Sequence, residues 1–129
     1  MSSDINEEIL LSDSLDKFIL DNYESALKHI DSMITKFPES PKKSEYTLYR
    51  AVSYLKLGKF ENALKDLDEI EKDSNYNKDF SYYLIRGKVL YYSGKFEESK
   101  NVLNKGLDLN KEKEYLFKNW LKKVEDELK

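Results

Sequence analysis

Two stretches of the chain match without a gap at an offset of 36 residues: Tyr49 to Ala63, and Ile85 to Ser99. Arg50, Gly58, Lys59, Phe60 and Glu61 return as Arg86, Gly94, Lys95, Phe96 and Glu97. A looser copy comes first, with Tyr23, Ala26 and Pro38 standing 37 residues before Phe60, Ala63 and Asn75. A fixed period of this length means that one supersecondary unit is built three times, each unit burying its apolar face against the next.

The unit reads as a pair of helices. Apolar residues recur at helical spacing, as in Leu64, Leu67 and Ile70 and again in Val102, Leu103 and Leu107, whereas strands would alternate at period two. Ala51 and Gly87 are small residues in the middle of each first helix; Ala26, Ala63 and Ser99 are small on each second one, so that backbones can cross closely. Gly58 and Gly94 stand where a left-handed cap ends a helix without steric penalty. Phe60 and Phe96, two residues on, are placed to fold over the turn. With only four Gly and two Pro in 129 residues, against ten Tyr and six Phe, the chain has few bends and much aromatic core. Helices are predicted over about 4–20, 23–36, 43–57, 60–72, 78–92, 96–108 and 111–128, with loops at Pro38 to Pro41 and Asp73 to Asn77. The length fits one domain over 1–129, with repeats at about 4–37, 43–75 and 78–109 and a capping helix at about 111–128. On that last helix Tyr115, Leu116, Trp120, Leu121, Val124 and Leu128 are expected to form the inward stripe.

Chemistry is thinly supplied. There is no Cys, and His29 is the only His, placed on a helix face with Lys28, Asp31 and Ser32, where solvation is the ordinary state. No second His or Cys completes a metal site or a paired nucleophile. Asp66, Asp68, Glu69 and Glu71, spaced with Lys65 and Lys72, read as an exposed helix face. Gly58-Lys59 and Gly94-Lys95 lack the rest of a phosphate-loop motif. No enzyme, cofactor or metal is expected. A net charge of −3 with both signs interspersed gives no basic field for nucleic acid. No run approaches the ~20 apolar residues of a membrane span, and Met1 to Glu8 lacks the basic and apolar regions of a secretory signal. The lack of Cys favours a reducing compartment, the cytoplasm with the nucleus as a second location.

The order of small residue, Gly, aromatic, small residue and large apolar in Ala51, Gly58, Phe60, Ala63 and Leu67 resembles the tetratricopeptide repeat, as does Gly87, Gly94, Phe96, Ser99 and Leu103. The first copy keeps Tyr23, Ala26, Ile30 and Pro38 but has Asp21 where the pattern has Gly. The resemblance implies an all-α, right-handed superhelical solenoid of three helix pairs plus the capping helix. It also implies a concave groove lined by the first helix of each pair. In that register the partner-binding residues are Leu15, Phe18 and Ile19, then Tyr49, Val52 and Lys56, then Ile85, Lys88, Tyr91 and Tyr92. Tyr54 and Tyr83 fall on the packing register and are assigned to core, and Trp120 is assigned to the structural cap. One subclass grips the acidic tails of large heat-shock chaperones with a two-carboxylate clamp of Lys, Arg and Asn. Here Tyr49 stands where that clamp needs Asn, and Ser81 and Ile85 where it needs Lys and Arg, so a tail clamp is not expected.

A narrower resemblance lies in Phe117-Lys118-Asn119-Trp120-Leu121-Lys122-Lys123, with Ser12 to Ile19 at the other end. These stretches are similar to the N-terminal repeat domain of the Sgt-one co-chaperones (suppressor of the G-two allele of Skp-one). That likeness implies the N-terminal part of a longer, non-enzymatic adaptor that links Hsp-90 chaperone machinery to a Skp-type ubiquitin-ligase adaptor. Hsp-90 contact would fall to domains not included here, and self-association as a homodimer is a further implied mode. The alternatives are a repeat segment of another co-chaperone, or of an enzyme of the prolyl isomerase or phosphatase type, and a self-associating scaffold.

Overall fold

The computed structural model describes residues 22–129. The helix expected over 4–20, and with it Leu15, Phe18 and Ile19, lies outside the described residues. Among those described, six α-helices follow in order: α1 (Tyr23–Lys36), α2 (Lys43–Lys56), α3 (Phe60–Lys72), α4 (Phe80–Tyr92), α5 (Phe96–Leu109) and α6 (Glu114–Glu127). A 3-10 turn over Lys111–Lys113 precedes the last, and no strand occurs among the described residues. The chain divides after Asp73 into two compact units. The first contains α1, α2 and α3, the second α4, α5 and α6.

The helix ends are set by side chains and by two glycines. Asn22 accepts from the Ser25 amide at 3.3 Å to start α1. Asp79 caps α4 by accepting from the amides of Ser81 and Tyr82; this cap is why α4 begins at Phe80 and not at 78. After α2, Gly58 takes φ 76°, with its amide donating to the Leu55 carbonyl and that of Lys59 to the Tyr54 carbonyl. After α4, Gly94 takes φ 78° and repeats both bonds, to Tyr91 and Leu90. These paired bonds satisfy carbonyls that the helix end leaves open. At the far end the expected helix from 111 is a 3-10 turn before α6, and the Asn110 side chain reaches back, its Nδ2 donating to the Gly106 carbonyl.

In the first unit α2 packs against both α1 and α3. Ala26, Ala51 and Ala63 are fully buried, and Ile30, Met33 and Tyr46 form a cluster flanked by Ile34 and Tyr49. Polar ties add to this packing. Ser44 donates to Asp73 at 2.6 Å, fastening the first turn of α2 to the residue that ends α3. Arg50 lies between two carboxylates: its Nε and Nη2 donate to Asp66 at 3.0 and 2.7 Å, and its Nη1 to Asp31 at 2.9 Å. Asp66 therefore departs from the exposed-face expectation. It is 4% exposed because the Arg50 fork meets it as a bidentate partner. Burial pushes the Asp66 carboxyl above its ordinary value while Arg50 pulls it back, and the hydrogen bond to Asp66 raises the Arg50 guanidinium above its own. Tyr54 is also displaced from its expected place. It is half-buried and lines, with Arg50, Asn62 and Lys65, an open cleft of about 510 Å³ instead of entering the core.

In the second unit α5 packs on α4, and α6 packs on both. Ser99 stands where the other copies have Ala, and its hydroxyl donates to the Gly87 carbonyl at 2.7 Å. Leu103 occupies the space that a side chain at Gly87 would take. Phe117 and Tyr83 do the same at Gly106. Phe117 thus anchors α6, with Leu121 and Val124 completing the buried stripe at i, i+4 and i+7. Tyr115, expected on that stripe, is 66% exposed, and Leu128 is 38% exposed. The physical reason is the hole over Gly106, which draws the Phe117 ring inward and turns Tyr115 out.

Candidate functional site

On α2, the residues expected to meet a partner fall at i, i+3 and i+7. Tyr49 is half-buried against the Ile30, Met33 and Tyr46 cluster, and its hydroxyl donates to Glu45 at 3.4 Å. Val52 is half-buried and Lys56 is exposed. The strip has an apolar base and a charged end. Leu48, on the same helix, is buried in the core.

On α4, Ile85, Lys88 and Tyr91 are half-buried and Tyr92 is 52% exposed. Helix α6 brings Trp120 to this face. The indole lies edge-on to Tyr91 at 5.6 Å and to Tyr92 at 5.9 Å between ring centroids, and Tyr91 in turn meets Tyr92 and Phe96 edge-on. Edge-to-face contacts of this kind fix ring orientations. Two ammonium groups lie over the same indole, Lys88 at 5.3 Å and Lys123 at 4.4 Å from its centroid. Trp120 is half-buried, unlike Phe117, Leu121 and Val124 on the same helix. The Tyr91 hydroxyl donates to Glu127 at 3.5 Å. Partial desolvation and the charge of Glu127 push the Tyr91 phenol above its ordinary value.

The second unit therefore brings together three of the expected residues, Lys88, Tyr91 and Tyr92, around Trp120. Sequence spacing placed Lys88, Tyr91 and Tyr92 on one face, but it held no signal that Lys123 would share their ring. Ser81, a clamp position, is half-buried at the start of α4. His29 is half-buried on α1. Among the described residues no group of three or more His, Asp or Glu is placed to hold a metal ion. No helix among them is long and apolar enough to cross a membrane.

No protein-family model matches the chain. Over 92 residues, 69% of its length, it is 35% identical to the TPR repeat-containing protein MJ0263 of Methanocaldococcus jannaschii, and it spans 28% of that relative's length. Among solved structures, the Sgt2 TPR domain from Aspergillus fumigatus superposes with a TM-score of 0.79 at 16% identity, covering 95% of this chain and 79% of that one. The first TPR domain of human RPAP3 gives 0.79 at 22% identity, covering 95% and 91%. The second TPR domain of human RPAP3, solved with the HSP70 peptide SGPTIEEVD, gives 0.74 at 23% identity, covering 90% and 92%.

Proposed function

From the premise that this chain folds as a tetratricopeptide-repeat domain, we propose that it is a non-enzymatic protein-binding module, with the Tyr49 face of α2 in the first unit and the Trp120 face of α4 in the second as its candidate contacts. The observation that carries this reading is the partly exposed aromatic cluster of Tyr91, Tyr92 and Trp120. A helix pair that needed these rings only for its own stability would bury them, and Tyr and Trp with one face open are the side chains most used as binding anchors.

In this reading the protein is an Sgt-like co-chaperone acting in the cytoplasm and nucleus. Its partner is a Skp-type adaptor of ubiquitin ligases, and other parts of such a co-chaperone reach the Hsp-90 machinery. The support is the stretch Phe117 to Lys123, whose Phe, Trp and two bases lie on the capping helix α6. Binding of purified Skp-type adaptor, followed by calorimetry, is expected to weaken by roughly tenfold or more in Tyr49→Ala and in Tyr91→Ala with the helical spectrum unchanged. Equal binding by both variants removes these faces from the account. Binding of the HSP70 peptide in place of the adaptor would instead assign the chain a tail-binding role like that of the second RPAP3 domain.

A further inference from the structure

Both prolines of the chain, Pro38 and Pro41, lie in the link between α1 and α2, on either side of Glu39 and Ser40. Ser40 is thereby the one Ser or Thr of the chain that Pro follows, and Lys42 and Lys43 come next. Glu39, Pro41, Lys42 and Lys43 are exposed, and Ser40 is half-buried. A residue before Pro is driven from the helical region into extended backbone, so α2 starts only beyond Ser40. There the Ser40 carbonyl accepts from the Lys43 amide and the Ser40 hydroxyl oxygen from the Lys42 amide, both at 3.1 Å. Lys42, at the N-cap, supplies no side-chain cap. Two ammonium groups thus stand at the positive end of the helix dipole, where anions are favoured, and the first turn is held by a neutral hydroxyl.

We propose that Ser40 is a phosphorylation site for a proline-directed protein kinase, and that the phosphate then caps α2. The proposal does not depend on the module reading above. A kinase groove with no acceptor just after the modified residue takes Pro there, and rejects residues whose amide it would leave unsatisfied. An acidic patch further along such a groove fits Lys43, exposed three residues on from Ser40. The exposed link and a helix end that frays at little cost let residues 39–43 lie extended in the enzyme. In the step itself the Ser40 hydroxyl gives its proton to the kinase's carboxylate base while Oγ bonds to the γ-phosphorus of ATP. The bond from that phosphorus to the β,γ-bridging oxygen breaks, and ADP leaves. The product carries three acceptor oxygens and a charge of about −1.5 to −2. These stand where the hydroxyl oxygen already meets the Lys42 amide, beside the ammonium groups of Lys42 and Lys43. Because α2 also carries Tyr49, the modification steadies a helix that bears one of the candidate contacts.

The test incubates the intact, folded chain with ATP, Mg²⁺ and a purified cyclin-dependent kinase, and reads uptake by mass. One phosphoryl group per chain is expected, located at Ser40 by peptide mapping. Ser40→Ala takes up none, and Pro41→Ala, which keeps the hydroxyl, is modified at least about tenfold more slowly with its helical spectrum unchanged. The phosphorylated chain is expected to unfold about 1–4 °C higher than the unmodified one, whereas Ser40→Ala treated in the same way does not shift. About 500 mM NaCl shrinks that rise, as screened charges require. A chain that takes up no phosphate overturns the proposal, even where a synthetic peptide of residues 36–46 is modified, because the fold then hides Ser40 from the enzyme. Uptake that persists in Ser40→Ala, or that is as fast in Pro41→Ala as in the parent, overturns it as well. An unfolding midpoint that stays or falls on modification overturns the capping of α2.

Discussion

Arg50 is the residue on which most depends in the first unit, because one guanidinium serves carboxylates from two other helices. Asp66 has a side chain only 6% exposed, whereas Asp31 is 49% exposed. The two pairs therefore differ in worth: the first is desolvated, the second is close to an ordinary surface pair. Arg50→Met is expected to lower stability by about 3 kcal/mol in urea unfolding, because it leaves a buried carboxylate without its counter-charge. Adding Asp66→Leu to the same chain should recover most of that loss. The penalty has a pH signature. Burial already holds the Asp66 carboxyl above its ordinary value, and without Arg50 its value rises further. A carboxyl with a raised folded-state value is best tolerated when protonated, so the gap between variant and parent should narrow as pH falls from 7 towards 4. Asp66 was not legible as a buried residue, since Lys65, Asp68, Glu69 and Lys72 around it all spell a solvated face. Its partner lies sixteen residues away on another helix, and no local periodicity reports such a contact. Tyr54 was misplaced for the related reason that an aromatic at a packing register can also lie over a cleft.

At the scale of helices, two glycines of different kinds make a contrast. Gly58 ends α2 at φ 76° with open space where a Cβ would stand, while Gly106 lies inside α5 with Phe117 and with the Tyr83 Cβ, at 2.6 Å from an ideal Cβ, against it. Gly58→Ala costs roughly 1–2 kcal/mol through backbone strain alone. Gly106→Ala costs about 1–3 kcal/mol by pushing α6 away from α5. Thermal unfolding reads both losses, and only the second variant should also change Trp120 emission in the folded state. The ends of α2 and α4 were legible because the same Gly, Lys and Phe recur in register. Gly106 has no counterpart in the other copies, so the repeat could not announce it. The same absence explains why Phe117, and not Tyr115, turned out to lead the buried stripe of α6. The cluster around Trp120 was half legible: the α4 face follows from helical spacing, but Lys123 reaches it through the packing of α6.

For the whole molecule, each unit packs helices that are adjacent or nearly so in sequence. Low contact order of this kind predicts refolding within milliseconds, to be measured by stopped-flow dilution from urea. A main phase of seconds would contradict it. The all-helical class and the helix pairs were legible from the period itself, whereas the division after Asp73 was not, because the repeat marks only where helices turn. The hydrogen bond from Ser44 to Asp73 assigns that last residue firmly to the first unit, and the cap at Asp79 opens the second. Between them Ser74 to Lys78 carries none of the helix caps, and Ser74, Asn75 and Asn77 are exposed. Limited trypsin digestion should therefore cut first after Lys78. The same few residues are where a foreign sequence, a tag or a new pair of chain ends could be spliced in while α1 to α6 keep their boundaries.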